Sequence, residues 1–288
     1  MTQIYLSREG IFPIAKEGSG AHVTQSSGTG MAVSGTVQGE GKLCGVASLF
    51  VRLQGCNLRC QWSQNMGNGT EHRVITCDTL HAQEMTWTRP NGTAQPQGID
   101  VAEVETVIER NMGKMHHLVI TGGEPYLQAE AVGMLIDHIR DCGIHTTVET
   151  NGTCGVRTLC SGEMAAVTLP LADLSSISPK LSSAGLSARQ ILMSRLGTLA
   201  MVRQVKAEGR DVQLKFVIAS AADQEEIERD YAEVLTMVEP SDVLVMPLGA
   251  TPEELARSQK AALDMAVRNG WRFGPRLHID LFGNKEGT

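Results

Sequence analysis

Hydrophobic and polar positions along the 288-residue chain change their spacing repeatedly, and each change marks an element. Residues 48–55 are a short apolar run interrupted by Arg52, which predicts a buried strand. From about residue 100 an alternation begins. Val101, Val104, Val107, Ile108 and Met112 recur at helical spacing. Residues 116–121 form a short apolar strand that ends in Gly-Gly-Glu-Pro, and 129–143 form a helix closed by Gly143. Strands follow at 145–150 and 171–178. Helices are predicted at 187–209 and 224–238, with strands at 212–218 and 242–248. Residues 251–270 are a helix with Thr251 as N-cap, Pro252 in the first helical position and acids in the first turn. Residues 276–281 predict a closing strand.

Strand–helix alternation implies parallel strands joined by crossover helices. Six or seven strands are too few for a closed eight-fold barrel, so an α/β fold with a partial, open barrel is expected, as one domain over 1–288. Two stretches stand outside the alternation. Residues 17–37 are rich in Gly, Ser and Thr and predict a loop or hairpin. Residues 66–98 predict a long irregular insertion after a cysteine pair, and loops of that length are usually functional.

Composition narrows the class. The chain is 42% hydrophobic and 20% charged, as expected of a globular protein. A net charge of −7 argues against a general nucleic-acid binder. No apolar run approaches ~18 residues, and no basic segment leads into an apolar stretch at the N-terminus. A cytoplasmic protein is expected. Seven cysteines, two of them close together, then point to metal or redox chemistry before disulfides.

In parallel α/β folds ligands meet the carboxyl ends of the strands. Four polar motifs fall there: Gly-Cys-Asn-Leu-Arg-Cys at 55–60, Thr-Gly-Gly-Glu-Pro at 121–125, Glu-Thr-Asn-Gly at 149–152 and Ser-Pro-Lys at 178–180. The thiolates of Cys56 and Cys60 are soft ligands suited to an iron–sulfur cluster or zinc; two buried core cysteines are the plain alternative. Arg52 sits inside an apolar strand, where its planar guanidinium suits either a ligand carboxylate or an internal salt bridge. Lys180 suits an anionic ligand or a solvated surface, and His278 suits substrate contact or a structural role. Gln38 and Glu40 offer an amide and a carboxylate, or simply flank a turn at Gly39 and Gly41.

The series Cys56-x3-Cys60-x-Trp62, then Gly-Gly-Glu-Pro, then Glu-Thr-Asn-Gly on successive strands resembles the radical S-adenosylmethionine superfamily over 48–180. Within it, Gln38-Gly39-Glu40-Gly41, Phe50-Val51-Arg52-Leu53 leading into the cysteines, Ser178-Pro179-Lys180, Leu214-Lys215-Phe216-Val217 and Leu277-His278 with Gly283-Asn284-Lys285 are similar to the 7-carboxy-7-deazaguanine synthase family, from about residue 35 to the end. The resemblance implies a (β/α)6-type partial TIM-like barrel, a [4Fe–4S] cluster, S-adenosylmethionine and Mg²⁺. It implies ring contraction of 6-carboxy-5,6,7,8-tetrahydropterin to 7-carboxy-7-deazaguanine with loss of ammonia, on the route to queuosine. A reductant such as flavodoxin and a homodimer are implied as well. On this basis Trp62, Gly122, Gly123, Glu124, Glu149, Asn151, Ser178 and Lys180 bind S-adenosylmethionine. Gln38, Glu40, Gly41, Arg52, Thr121 and His278 bind substrate.

The family pattern continues Cys-Asp-Thr after the tryptophan, where this chain has Ser63-Gln64-Asn65. In the family the third cysteine holds the cluster, and the hydroxyl two positions on binds Mg²⁺. A serine hydroxyl is hard and ionises far above a thiol, a poor match for iron–sulfur chemistry. The Asn65 carbonyl oxygen still suits Mg²⁺. The favoured expectation places Ser63 as third ligand, because the other rim motifs are intact. Replacement by Cys44 or Cys77 is a second account. A pterin-binding chain without turnover is a third. A different radical enzyme, such as a glycyl-radical activase with a protein partner, is a fourth, and the Gln38–Gly41 segment and Arg52 speak against it.

Overall fold

The computed structural model describes residues 1–13, 24–26, 32–65, 72–84, 87–88, 94–95 and 98–283. Its centre is an eight-stranded sheet. In chain order the strands are β1 (Leu6–Phe12), β2 (Leu49–Leu53), β3 (His117–Gly122), β4 (His145–Thr150), β5 (Leu174–Ile177), β6 (Asp211–Ile218), β7 (Val243–Pro247) and β8 (Arg272–Phe273). Their spatial order is the chain order, with β1 and β8 at the edges. Strands β2 to β8 run parallel, and β1 lies antiparallel on β2. The crossovers are α1 (Val101–Met112), α2 (Ala129–Asp141), α3 (Ala188–Ala207), α4 (Asp223–Asp230) with α5 (Ala232–Leu235), and α6 (Pro252–Asn269). Such a singly wound order is the partial barrel that the alternation predicts.

The strands look continuously apolar in sequence, yet their two faces differ. Val51, Leu53, Ile120, Val148, Ile177, Leu214 and Phe216 point into one large core shared with the helices. The alternate positions carry Arg52, Thr121, Glu149, Ser176 and Lys215, which line a cavity on the other face. Register aligns this polar row: Thr121 pairs with Arg52, and Glu149 with Ser176.

Helix ends follow their caps. Asp100 accepts from the amide of Ala102 at α1, Ser187 forms a reciprocal capping box with Gln190 at α3, and Thr251 accepts from Glu254 at α6 with Pro252 next in line. Among the described residues no helix is long and apolar enough to cross a membrane.

Four expectations are corrected. Residues 276–281 are not a strand but lie in and just before a helix, α7 (Leu277–Phe282), which buries Ile279 and Phe282 three residues apart. The predicted helix 224–238 breaks at Tyr231, whose buried ring meets Phe216 edge-on and whose hydroxyl donates to the carbonyl of Lys180. The first sheet strand is Leu6–Phe12, before the run at 48–55. The stretch after the cysteines is partly regular: Gln61–Asn65 and His72–Thr76 form an antiparallel hairpin, and so do Trp87–Thr88 and Ala94–Gln95. Within 17–37, strands Thr24–Ser26 and Ala32–Ser34 pair as a hairpin. Asn284 and Lys285 lie outside the described residues.

Candidate functional site

A cavity of about 380 Å³ opens at the carboxyl ends of the parallel strands. It is lined by loops that leave those strands, the polar row inside the barrel, the 36–40 segment and α7.

Cys56 and Cys60 enter from the loop after β2, and both thiols line the cavity beside Trp62. Cys56 Sγ accepts from the amide of Leu58 at 3.5 Å and lies 3.9 Å from Asn151 Nδ2. Burial pushes the Cys56 thiol up to about 11 and also raises Cys60. Thiols held neutral this way are ionised by a metal and not by their protein surroundings.

Ser63 is not in the cavity. It sits on the Gln61–Asn65 strand opposite Val74, exposed, while Trp62 and Ile75 turn inward. Strand alternation sends neighbouring side chains to opposite faces, so the inward Trp62 excludes an inward Ser63. The Asn65 side chain lies outside the described residues. Of the two cysteines considered as replacements, Cys44 does not line the cavity, whereas Cys77 does. Cys77 is followed by Asp78 and Thr79, so the missing Cys-Asp-Thr triplet stands at 77–79, on the far side of the hairpin.

Glycines 122 and 123 line the cavity, but packing explains them first. A Cβ on Gly122, at φ 152°, would lie 2.3 Å from the carbonyl oxygen of Leu53. One on Gly123 would lie 2.2 Å from that of Gly55 and 2.6 Å from that of Ala82. The next residue, Glu124, is fully buried and does not line the cavity. Its carboxylate accepts from the amides of Tyr126 at 3.1 Å and Asn151 at 2.7 Å, and from the Thr150 hydroxyl at 2.8 Å. It ties one rim loop to the next, so its carboxylate is engaged there and not in the cavity wall where a cofactor contact was expected. Gly41 is likewise outside the cavity: it takes φ 79° and packs against the Gln213 amide.

Glu149, Asn151, Ser178 and Lys180 all line the cavity. Lys180 Nζ donates to Ser178 Oγ at 2.9 Å. Glu149 accepts from Thr121 Oγ1 at 3.0 Å and Gln38 Nε2 at 3.3 Å. Glu40 is gripped by Lys215 Nζ at 2.5 Å and Arg276 Nε at 2.8 Å. Burial alone would raise its pKa, but those two cations hold it well below the usual carboxylate range. His278, on α7, faces the cavity and packs on Gly39, and burial lowers its pKa so that the ring is neutral. Arg52 faces the cavity too, with its guanidinium 5.2 Å from the Phe12 ring centroid and paired with Glu9. The salt bridge left open by the sequence is therefore present alongside cavity exposure.

Several site residues were not anticipated. Glu9 joins Arg52 and His81. Lys215 bridges Glu40 and Glu149. Arg276 connects Glu40, Asp78 and the carbonyl of Gly249. A lone charge in an apolar segment signals Lys215 as it does Arg52, while nothing local distinguishes Glu9 or Arg276.

The donor set fits the groups that the fold implies. Soft thiols line one part of the cavity, with a lysine, hydroxyls and amides nearby for an anionic and polar cofactor. Among the described residues, the group of His, Cys, Asp or Glu gathered within 4.8 Å as for a single ion is Glu109, His138 and Cys142, on the outer helices.

Comparison with known proteins agrees. A family model described as "4Fe-4S single cluster domain" matches residues 37–168. The 7-carboxy-7-deazaguanine synthase of Halobacterium salinarum is 35% identical over 273 residues, covering 88% of this chain and 90% of that one. The protein of the same name from Rhodopirellula baltica is 32% identical over 259 residues, covering 87% and 85%. The crystal structure of QueE from Escherichia coli superposes with a TM-score of 0.58 at 20% identity, over 96% of both chains, and shares the fold. Identity at this level along nearly the whole length, with the rim motifs gathered round one cavity, places the chain in the 7-carboxy-7-deazaguanine synthase family.

Proposed function

We propose that the chain converts 6-carboxy-5,6,7,8-tetrahydropterin to 7-carboxy-7-deazaguanine and ammonia as a radical S-adenosylmethionine lyase, within a single domain. The observation that carries this reading is one cavity lined both by soft thiols and by a hard set of paired carboxylates, amides and cations. A [4Fe–4S] cluster with S-adenosylmethionine, when bound, supplies the radical that removes hydrogen from C6 of the pterin. The protein's residues bind and orient.

Lys180 and Ser178 present a cation and a hydroxyl for polar groups of the cofactor, and Asn151 and Glu149 line the same wall. Glu40, ionised between Lys215 and Arg276, accepts from the N–H edge of the pterin. Gln38 is fixed by Glu149 on one side and by the amide of Glu40 on the other, so its rotamer is set before substrate arrives. Arg52 offers a planar fork to the substrate carboxylate, in exchange for part of its pairing with Glu9. Thr121 and neutral His278 complete the wall. The Thr79 hydroxyl, two residues after Cys77 and lining the cavity, supplies the hard oxygen for Mg²⁺ that Asn65 was expected to provide. A flavodoxin-like reductant, a homodimer and a cytoplasmic location belong to the same proposal through the family resemblance. A pterin-binding chain without a cluster had Ser63 as its ground, and Cys77, which lines the cavity with Cys56 and Cys60, speaks against it.

The test is anaerobic turnover. Iron-loaded protein given S-adenosylmethionine, dithionite and 6-carboxytetrahydropterin should yield 7-carboxy-7-deazaguanine and ammonia in equal amounts by mass spectrometry and ammonia assay. Cluster-loaded protein that cleaves S-adenosylmethionine yet forms no 7-carboxy-7-deazaguanine overturns the proposal.

A further inference from the structure

The structure assigns the third thiolate of the cluster site to Cys77, carried across a hairpin from the first two, and leaves position 63 outside the site; this rests on the radical-enzyme reading above.

Three independent observations converge. First, Cys56, Cys60 and Cys77 line the same cavity, and Ser63 does not. Second, the reason is geometric and does not depend on which side chain occupies position 63. Gln61–Asn65 is a strand paired in register with His72–Thr76: Gln61 faces Thr76, Trp62 faces Ile75 and Ser63 faces Val74. Trp62 and Ile75 are buried in a cluster that includes Leu58 and Cys60. Ser63 and Val74 therefore occupy the outer face. A cysteine placed at 63 would point away from Cys60. Third, the hairpin returns the chain to its own base. The pairing of Gln61 with Thr76 sets Cys77 one residue beyond a position already beside Cys60's neighbour. Joining Trp62 directly to Cys77 would produce Cys-x3-Cys-Gln-Trp-Cys-Asp-Thr, the compact family order that position 63 interrupts. Residues 63–76 thus behave as an insertion between the second and third ligands.

Cys77 is also held in place from both sides. Before it, the hairpin is anchored to the start of α6: Gln64 Nε2 donates to the carbonyl of Glu254 at 3.1 Å, and Arg73 pairs with the Glu254 carboxylate at 3.2 Å. After it, Asp78 is clamped by Arg276. Cys77 Sγ lies 3.2 Å from Thr79 Oγ1. A merely structural cysteine would need neither the cavity wall nor a partner set of two other thiols. A ligand delivered from a surface hairpin needs anchoring of this kind, because a cluster binds tightly only to thiolates whose positions are fixed beforehand.

The experiment counts iron and maps thiols, so it does not depend on turnover. Reconstituted wild-type protein should hold ~4 irons per chain and show visible iron–sulfur absorption. Cys77→Ser should lose most of that iron while keeping its far-ultraviolet circular dichroism, and Ser63→Ala and Ser63→Cys should match wild type. Deletion of residues 63–76 should retain the cluster. In wild-type holoprotein, which needs no variant, anaerobic alkylation before and after iron removal should reveal Cys56, Cys60 and Cys77 as the thiols that the cluster shields. Full iron in Cys77→Ser, loss of iron in Ser63→Ala, or a Cys77 alkylated equally with and without the cluster overturns the assignment. Absence of iron from wild type would instead overturn the radical-enzyme reading itself.

Discussion

Arg276 is the residue on which three separate segments meet. It reaches Glu40 from the 36–40 segment, Asp78 beside the cluster thiol and the carbonyl of Gly249 after β7. Its side chain is only 10% exposed, and those of Glu40 and Asp78 are 13% and 32% exposed. Removing the cation strips Asp78 of its clamp and leaves buried Glu40 to Lys215 alone. Breaking a buried pair in this way costs about 3–5 kcal/mol. Arg276→Met should therefore lower unfolding free energy by about that much in urea titration at pH 7. Because Asp78 adjoins Cys77, the variant should also hold its cluster more weakly, seen as faster iron loss to a chelator. A surface control such as Arg229→Met, whose partner Asp230 is its chain neighbour, should change neither measurement.

At the scale of elements, legibility followed how locally each one is determined. The parallel strands and crossover helices were readable because each carries its own period and its own cap, as Ser187 and Thr251 illustrate. The end of the chain was misread because Leu277, Ile279 and Leu281 alternate like a strand, while the residues actually buried, Ile279 and Phe282, are three apart. The short Leu6–Phe12 strand was invisible because its partner lies about forty residues away. The cluster loop shows the same limit at a functional site. Cys-Asp-Thr stands openly at 77–79, but spacing counted along the chain cannot see that a hairpin folds back and removes its own length from the path. Gly-Gly-Glu-Pro was placed correctly and explained incompletely. Its glycines let two rim loops touch, and its glutamate binds backbone. Gly123→Ala checks this. The added methyl meets two backbone carbonyls, that of Gly55 at the start of the cysteine loop and that of Ala82 in the turn packed on it, and neither can rotate away. The variant should lose about 3 kcal/mol in chemical unfolding and part of its iron. Unchanged values for both would mean that the loops have room to separate.

Across the whole molecule, the two ends of the sheet are specialised differently. The carboxyl ends hold the cavity. The amino ends are sealed by His117, which is buried between the Ser48 hydroxyl at 2.7 Å from Nδ1 and the Thr147 hydroxyl at 2.8 Å from Nε2, with the His145 ring 5.4 Å away. Burial, reinforced by His145, pushes the His117 pKa down to about 4. The sign follows from proton counting. Between about pH 4 and the unfolded value of about 6.5 the unfolded chain binds a proton that the folded chain refuses, so stability rises with pH across that window and falls on acidification. The gap corresponds to about 3 kcal/mol at full effect. Other groups titrate nearby, and Glu124, whose pKa burial raises, works in the opposite direction. A difference between two proteins isolates the histidine. Unfolding free energies of wild type and His117→Asn, measured by urea from pH 7 to pH 4, should diverge most at neutral pH and converge by about 3 kcal/mol on acidification. Parallel profiles would mean that folding leaves the His117 pKa unshifted. Because the cavity lies at the other end of the strands, the substitution should leave iron content unchanged, which separates the stability of the barrel floor from the chemistry at its rim.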